Sequence, residues 1–460
     1  MDITAKLWSF CHILRQDGVD NADYIEQLTY LLFLKMADES GISVPQNCQW
    51  SNLITREGEE LKKYYEQLLL NLKKEKGILG QIFQEPIAKI KNPVSLKKIV
   101  DGIEAIGWTE LEKDVQGEAF EGLLDKIANE GKKGAGQFFT PRPLIQAIVE
   151  VVRPNPLEKK DFKISDVACG TAGFLTMAVD WAKKNTNHSE LAKIKNKSYY
   201  GQELVVRPYR LALMNLFLHG IIPNLTLGDS IYSPVEHKYK FDCIITNPPF
   251  GTRGVSGSPK IRKFMVDTSN IQINFIQHIN EVLAVNGRAA IVLPDSSLTD
   301  SKAKEVWKNI LQDGHCNLHT ILKLPKGTFN PYAAGVKACV VFLQKGMPTK
   351  ELWVYDARTD VQDVTKTSRP LQYDLHFADF VKSYGQKYDG TGFREESNRF
   401  KKYTFQQVVE RGYDLSFTNI FEPEKLEDPS FYLEKLIGNY QEQLTSLQAL
   451  KELLNVKGDA

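Results

Sequence analysis

From about residue 131 onward, short β-rich runs alternate with helical segments, and this alternation restricts the fold more than any other feature of the chain. Parallel strands need a long crossover between them, so the pattern is typical of a doubly wound α/β sheet. We predict an α/β fold with a mainly parallel, seven-stranded sheet and with crossover helices at Phe174–Lys184, Pro208–His219 and Asn274–Leu283. The strands are expected at Phe162–Val167, Ser198–Gln202, Leu225–Leu227, Phe241–Thr246, Arg288–Leu293, Leu318–Leu324 and Ala338–Gln344, the last two as a hairpin.

The segments on either side of this α/β region are expected to be helical or irregular. Helical spacing of apolar residues, as at Ile25, Leu28 and Leu32, predicts a helical N-terminal domain over residues 1–130. The α/β domain is expected over residues 131–355, an irregular extension over 356–425 and a C-terminal helix over 426–460. The final helix carries a near-heptad stripe made of Leu433, Ile437, Tyr440, Leu444, Leu447 and Leu454. Such a stripe is typical of a helix packed on its own domain and also of one that contacts a partner.

Composition argues against several classes of protein. No apolar run reaches the roughly 20 residues that a membrane span requires, and the N-terminus lacks the pattern of a secretory signal, so a cytoplasmic protein is expected. The six cysteines show no metal-finger or redox spacing, so neither zinc nor disulfides are indicated. With 58 basic and 57 acidic residues, the overall charge does not favour nucleic acid, and any such contact would be local or shared with a partner.

The most specific motif is Asn247-Pro248-Pro249-Phe250, which directly follows the predicted strand Phe241–Thr246. In a doubly wound sheet this is the carboxyl edge, where ligands bind. An amine on a nucleobase is a poor nucleophile because its lone pair is delocalised into the ring. The Asn247 side-chain oxygen and the Pro248 carbonyl could accept its two N–H hydrogens and direct the lone pair at a methyl donor. The prolines stiffen the loop, and Phe250 offers a face for stacking a flipped-out base.

Three further strand ends suit a nucleotide-like cofactor. Asp166 leads into a glycine turn containing Gly170, Thr171, Ala172 and Gly173, where the backbone can approach a ligand and a helix N-terminus can receive its carboxylate. Glu203, at the end of the second strand, could accept hydrogen bonds from both ribose hydroxyls. Asp229, after the third strand, could accept a hydrogen bond from an adenine amino group. Each signal is weak alone, but their order along the chain makes the set specific.

Together these residues resemble the N6-adenine methyltransferases, and most closely the modification subunits of type I restriction systems. The string from Gly136 to Leu144 is similar to a family motif that lies against the cofactor's methionine and adenine ends. The resemblance implies an S-adenosylmethionine-dependent methyltransferase sheet, with Asn247 to Phe250 as the catalytic loop and no metal. The implied cofactor-binding residues are Gln137, Phe138, Phe139, Thr140, Pro141, Arg142, Asp166, Gly170, Thr171, Ala172, Gly173, Glu203 and Asp229.

The resemblance also implies partners and shows two departures from the family pattern. The implied partners are DNA, a specificity subunit that reads the sequence, a second copy of this chain and a large restriction subunit, in a bacterial or archaeal cell. The loop from Gly251 to Asn270 carries Arg253, Lys260, Arg262 and Lys263 and could contact DNA phosphates. Val167 stands where many members have proline, and Ala172 where others have glycine.

Other functions remain open at this stage. Carbon-5 methylation of cytosine needs a Pro-Cys loop, and the chain contains no Pro-Cys dipeptide. Methylation of the N4 amine of cytosine uses the same amine chemistry, usually with serine at the position of Asn247. Methylation of a protein glutamine also uses an Asn-Pro-Pro loop, but those enzymes resemble the chain poorly at Gln137 to Leu144. A catalytically silent, DNA-clamping structural subunit is the alternative from another class.

Overall fold

In the computed structural model, the described residues are 3–39, 42–108, 113–130, 140–232, 240–251, 263–330, 333, 335–359, 361–365, 368–417 and 429–456. The chain forms two compact units, Met1–Phe417 and Thr418–Ala460. The finer domain boundaries at residues 130, 355 and 425 stay predictions. The helices before the sheet are α1 (Ile3–Gln16), α2 (Asn21–Glu39), α3 (Ser51–Ile54), α4 (Gly58–Leu72), α5 (Gly77–Ile82), α6 (Pro93–Glu104), α7 (Lys113–Glu130) and α8 (Arg142–Val152).

The sheet of the first unit has nine strands in the order β3-β2-β1-β4-β5-β7-β6-β8-β9. The strands are β1 (Ile164–Asp166), β2 (Tyr199–Glu203), β3 (Asn224–Leu227), β4 (Phe241–Thr246), β5 (Leu283–Pro294), β6 (Cys316–Lys323), β7 (Ala338–Lys345), β8 (Glu351–Asp356) and β9 (Phe400–Thr404). The helices between and beyond them are α9 (Gly173–Asn185), α10 (His188–Ser198), α11 (Val206–Leu218), α12 (Ile271–Val282), α13 (Ser296–Thr299), α14 (Ser301–Leu311), α15 (Tyr373–His376), α16 (Ala378–Tyr384), α17 (Phe405–Glu410) and, in the second unit, α18 (Pro429–Val456).

The pairing of the strands confirms the predicted doubly wound, mainly parallel fold. Strands β1 to β5 pair in parallel, in the order β3-β2-β1-β4-β5, and β6 and β7 form the expected antiparallel pair. The number of strands was wrong, since β8 adds to β6 in parallel and β9 adds to β8 antiparallel. Strand β9 carries two adjacent lysines and fully buries only Phe400, so its apolar signal in the sequence is weak, as is typical of an edge strand.

Helices cover both faces of the sheet, so most of the central strand residues are buried. All six residues of β4 are buried, as expected for a parallel strand between two helical layers. Cys243 and Ile245 of β4 pack into a core shared with α1, α2 and α7, whereas Ile244 packs into the core of the opposite face. The N-terminal helices therefore form part of one helical layer of the sheet.

Helix α18, described by itself, exposes the predicted heptad stripe as far as Leu447, and the side chain of Leu454 lies outside what the structure describes. Leu433, Ile437, Tyr440, Leu444 and Leu447 are each about half exposed or more. No helix among the described residues is long and apolar enough to cross a membrane.

Candidate active site

The carboxyl ends of β1 to β4 meet at one edge of the sheet, because these strands run in parallel. A cavity of about 820 Å³ lies at this edge, and its lining takes in most of the predicted site residues. Ala172 is buried beside the lining without being part of it. Gln137, Phe138 and Phe139 lie outside the described residues. The predicted residues that line the cavity are Thr140, Pro141, Arg142, Asp166, Gly170, Thr171, Gly173, Glu203, Asp229, Asn247, Pro248, Pro249 and Phe250.

The turn after β1 brings the backbone close to the cavity. Gly170 adopts a φ of 53°, and Ala172 a φ of 66°, which is the left-handed region that costs a residue with a Cβ atom about 1 kcal/mol. Ala172 thus adopts the left-handed conformation at a position where glycine would do so without this strain. Helix α11 supports the turn, since the Asn215 Nδ2 atom donates a hydrogen bond to the Thr171 carbonyl at 3.1 Å.

Glu203 at the end of β2 is held by two backbone donors. The Gly170 N–H donates to Oε2 at 3.0 Å, and the Val205 N–H donates to Oε1 at 2.9 Å. Each carboxylate oxygen keeps a second lone pair, so both can still accept a hydrogen bond from a ligand. Burial raises the pKa of this carboxyl group, while the two N–H donors oppose the shift.

Asp166 at the end of β1 is the most deeply buried acid of the cavity. Its Oδ1 atom accepts hydrogen bonds from the Thr246 hydroxyl at 2.6 Å and from the Ala168 N–H at 3.1 Å. Burial raises the pKa of this group to about 7, and the two donors only partly offset the effect. A cation bound next to this carboxyl group would lower its pKa and favour the ionised form.

Asp229 after β3 closes a tight turn and presents a carboxylate to the cavity. Its Oδ1 atom accepts hydrogen bonds from the Ile231 N–H at 2.7 Å and from the Tyr232 N–H at 2.9 Å. No described residue donates to Oδ2, which leaves that oxygen available to an amino group of a ligand.

The carboxamide of Asn247, in the loop after β4, is held through its nitrogen atom. The Nδ2 atom donates a hydrogen bond to the Thr140 hydroxyl at 3.0 Å, and Oδ1 is buried without a hydrogen-bond partner among the described residues. A buried acceptor without a donor costs roughly 1–3 kcal/mol, so the site is arranged for a donor from a ligand. Gln272 secures the loop by donating to the Pro249 carbonyl at 3.3 Å.

Two aromatic rings stand next to this acceptor. The rings of Phe250 and Phe329 meet edge to face, with centroids 5.0 Å apart and an interplanar angle of 87°. Phe329 lies in the connection from β6 to β7 and lines the same cavity. The pair offers an apolar surface for a flat ring beside the Asn247 carboxamide.

The charged side chains that line the cavity are mostly acidic. They comprise four carboxylates and the guanidinium of Arg142. That guanidinium forms an ion pair with one of the four, Glu121, so the remaining charge favours a cationic ligand. Among the described residues no cluster of side chains could hold a metal ion. Of the basic loop residues, Arg253, Lys260 and Arg262 lie outside the described residues, whereas Lys263 is exposed.

Comparisons with known proteins identify the family. Residues 111–429 match the N-6 DNA Methylase family, and residues 3–41 match the HsdM N-terminal domain. The chain belongs to the N-6 DNA methylases. It is 38% identical to the type I restriction enzyme StySPI methylase subunit of Salmonella potsdam and 37% identical to the EcoKI methylase subunit of Escherichia coli K12, covering 86% of this chain and 78% of either relative. These matches make it an adenine-specific methylase subunit of a type I restriction-modification system.

Solved structures agree with this assignment. One of them is a structure that addresses complex assembly and conformational transition of the type I restriction-modification system. The superposition has a TM-score of 0.78 at 27% identity and covers 98% of each chain. The EcoKI M protein superimposes with a TM-score of 0.55 at 29% identity, covering 99% of this chain. The match extends from the sheet to the N-terminal helices.

Several residues of this N-6 DNA methylase that line the cavity were not predicted from the sequence, among them Glu121, Asn215 and Phe329. Glu121 lies on α7, Asn215 on α11 and Phe329 on the connection after β6. The sequence offers a weak signal only for Glu121, a carboxylate on the apolar face that Phe120 and Leu124 share. Asn215 stands within a strongly apolar helix, where the polar side chain could equally have been a satisfied core residue.

Proposed function

We propose that the cavity binds S-adenosylmethionine together with an adenine base turned out of the DNA duplex. The cofactor would lie along the edge of β1 to β3, with Glu203 accepting from its ribose hydroxyls, Asp229 from its adenine amino group and Asp166 close to its cationic methionine part. The acidic lining supports a ligand that carries a sulfonium and an ammonium group. When bound, this cofactor supplies an electrophilic methyl group.

The observation that carries the proposal is the buried Oδ1 atom of Asn247, for which the described residues provide no hydrogen-bond partner. This oxygen and the Pro248 carbonyl would accept the two N–H hydrogens of the adenine N6 amine and turn its lone pair towards the methyl group. The Thr140 hydroxyl keeps the carboxamide in this orientation. Phe250 would stack on the base and Phe329 would pack against its edge, offsetting part of the few kcal/mol that base flipping costs.

The chemistry needs no covalent bond between enzyme and base. Cys169 lines the cavity, but burial raises the pKa of its thiol well above the usual value, so the sulfur stays protonated and unreactive. The side chains therefore act through proximity, orientation and hydrogen bonding to the amine.

The proposed partners follow from the family. We infer that the subunit works with DNA, a specificity subunit, a second copy of itself and, in the complete complex, a restriction subunit. The two relatives named above come from bacteria, whose DNA lies in the cytoplasm, so the cytoplasm is the proposed place of action. Delegated sequence recognition would account for the balanced charge of the chain.

Methyl transfer from labelled S-adenosylmethionine tests the proposal. The full chain is incubated with DNA, with and without the proposed specificity subunit, and the nucleosides of the product are analysed. We expect N6-methyladenine only in the presence of the specificity subunit. N4-methylcytosine would contradict the proposed base, and cofactor binding without any methylated nucleoside would favour a structural, DNA-clamping subunit. N6-methyladenine from the chain alone would keep the chemistry but contradict delegated recognition.

A further inference from the structure

We propose that Glu121 is a positioning residue for methyl transfer, which couples the N-terminal helices to the orientation of the Asn247 carboxamide. The inference rests on the proposed function of the cavity. Glu121 lies on α7, away from the strand ends that carry Asp166, Glu203 and Asn247, yet its side chain lines the cavity. It is only 5% exposed, so its carboxylate must be satisfied by the groups around it.

The carboxylate joins the first turns of two helices that flank the cavity. Its Oε2 atom accepts from the guanidinium of Arg142, the first residue of α8. Its Oε1 atom accepts from the Thr176 hydroxyl at 2.7 Å, in the first turn of α9. Helix α9 begins at Gly173 in the glycine turn, so one side chain fixes the starts of both helices relative to α7.

A short and stiff connection leads from Arg142 to the catalytic loop. Thr140, two residues before Arg142, accepts the hydrogen bond from Asn247 Nδ2 at 3.0 Å. The residues on both sides of Arg142 are prolines, Pro141 and Pro143, which limit how far the backbone can bend. A shift of Arg142 would therefore move Thr140 and loosen the carboxamide that aims the adenine amine.

A matched ion pair elsewhere in the chain provides the control. Glu26 on α2 pairs with Arg210 on α11, and this pair also joins an N-terminal helix to a helix of the sheet layer. Glu26 is 7% exposed, close to the burial of Glu121, but it does not line the cavity. Loss of either carboxylate should lower the stability of the protein, whereas only loss of Glu121 should change the chemistry.

The test compares Glu121→Gln with Glu26→Gln in the full chain assembled with its specificity subunit. Thermal unfolding gives the midpoint of each variant, and single-turnover methyl transfer is measured below both midpoints at saturating S-adenosylmethionine. We expect the rate of Glu121→Gln to fall at least tenfold and that of Glu26→Gln to stay within twofold of wild type. Equal rates in the two variants would overturn the proposal.

A double-mutant cycle with Thr140→Val tests the route of the coupling. If Glu121 acts through Thr140, Thr140→Val should lower the rate much less in the Glu121→Gln background than in wild type. If the fold-reduction in the double variant equals the product of the two single fold-reductions, the two residues act independently, which would contradict the proposed route. If Glu121→Gln does not fold, Thr176→Val, which removes one hydroxyl at nearly constant volume, replaces it in both comparisons, with an expected loss of at least threefold.

The wild-type protein separates this inference from the proposed function. If the wild-type assembly yields no N6-methyladenine, the proposed function fails before any variant is compared. If it is active and the Glu121 variants behave like the Glu26 control, only the positioning role is lost.

Discussion

Glu203 ends β2 and Asn247 follows β4, on either side of β1, and substitutions at the two positions should have different effects. Asn247→Ala removes the acceptor of the adenine amine and should lower the rate of methyl transfer at saturating cofactor by about 10²–10³-fold, in the range measured for a single lost transition-state hydrogen bond. Its affinity for S-adenosylmethionine should stay within about twofold of wild type. Equilibrium binding and single-turnover kinetics on the same preparation give both quantities, and retained turnover would refute the role of Asn247.

Glu203→Gln should instead weaken cofactor binding and leave the rate of methyl transfer largely unchanged. The amide keeps one acceptor oxygen but loses the charge that strengthens hydrogen bonds to ribose, so affinity for S-adenosylmethionine should fall by about 10–100-fold, since such bonds contribute roughly 1.5–3 kcal/mol. The rate at saturating cofactor should change far less. An unchanged dissociation constant would remove Glu203 from the ribose site.

Asp166 should make cofactor binding depend on pH. Burial raises the pKa of its carboxyl group from 3.8 to about 7, so in the free protein the group is largely protonated below pH 7. A cationic ligand favours the ionised form, and binding below pH 7 therefore releases a proton. Affinity should weaken as the pH falls from about 8 towards 5, and calorimetry in buffers of different ionisation enthalpy should detect the released proton.

The control for this pH dependence is Asp166→Asn, which should bind more weakly but with a flatter profile between pH 5 and 8. A wild-type profile as flat as that of the variant would contradict the role of Asp166. The same raised pKa affects the stability of the free protein in the opposite direction, because rising pH strengthens cofactor binding but destabilises the fold. The unfolded chain releases the proton at a lower pH than the folded one, so this group lowers the free energy of unfolding as the pH rises from about 4 to about 7.

At the scale of helices, one glycine marks close packing of α7 on the C-terminal end of α11. A Cβ atom on Gly117 would lie 2.7 Å from the Cε1 atom of His219, whose Nδ1 atom is tied to the Asn215 carbonyl at 2.8 Å. Gly117→Ala should therefore lower the free energy of unfolding by about 1–2 kcal/mol, because overpacking outweighs the gain in helix propensity. Thermal or denaturant unfolding gives this value.

Gly438 on α18 is the matched helical glycine, since a Cβ atom there would meet nothing within 4 Å. Gly438→Ala should stabilise its helix by up to about 1 kcal/mol. If Gly117→Ala also stabilised the protein, the close contact with His219 would not limit the position.

The sequence predicted those elements whose pattern is local. Strand β4 was predicted to the residue, and α9 and α11 to within two residues at either end, since each is an apolar run bounded by turn or cap signals. Asp166, Glu203 and Asn247 could be selected because they end or directly follow strands. Glu121 and Asn215 could not, because their partners are distant in the sequence: Glu121 meets Arg142 and Thr176, and Asn215 meets Thr171.

For the whole molecule, we expect the first unit to bind the cofactor and the second to contact partner subunits. The residues that line the cavity end at Leu371, within the unit Met1–Phe417. A chain that ends after Phe417 should therefore bind S-adenosylmethionine with the affinity of the full chain, measured by equilibrium binding. Loss of binding on truncation would show that the second unit contributes to the cofactor site.

We propose that the exposed stripe of α18 is the contact with the specificity subunit, which this truncation should remove. Ile437 and Leu444 stand seven residues apart on the stripe and are 48% and 58% exposed, and an apolar seam of this spacing is stabilised by burial against another helix. Ile437→Asp combined with Leu444→Asp should abolish co-purification with the specificity subunit and leave cofactor affinity unchanged. Thr445→Asp combined with Ser446→Asp adds the same charge to the same helix off the stripe and should leave the complex intact. Equal loss in both double variants would point to a general effect of negative charge, and an intact complex in both would exclude the stripe as the contact.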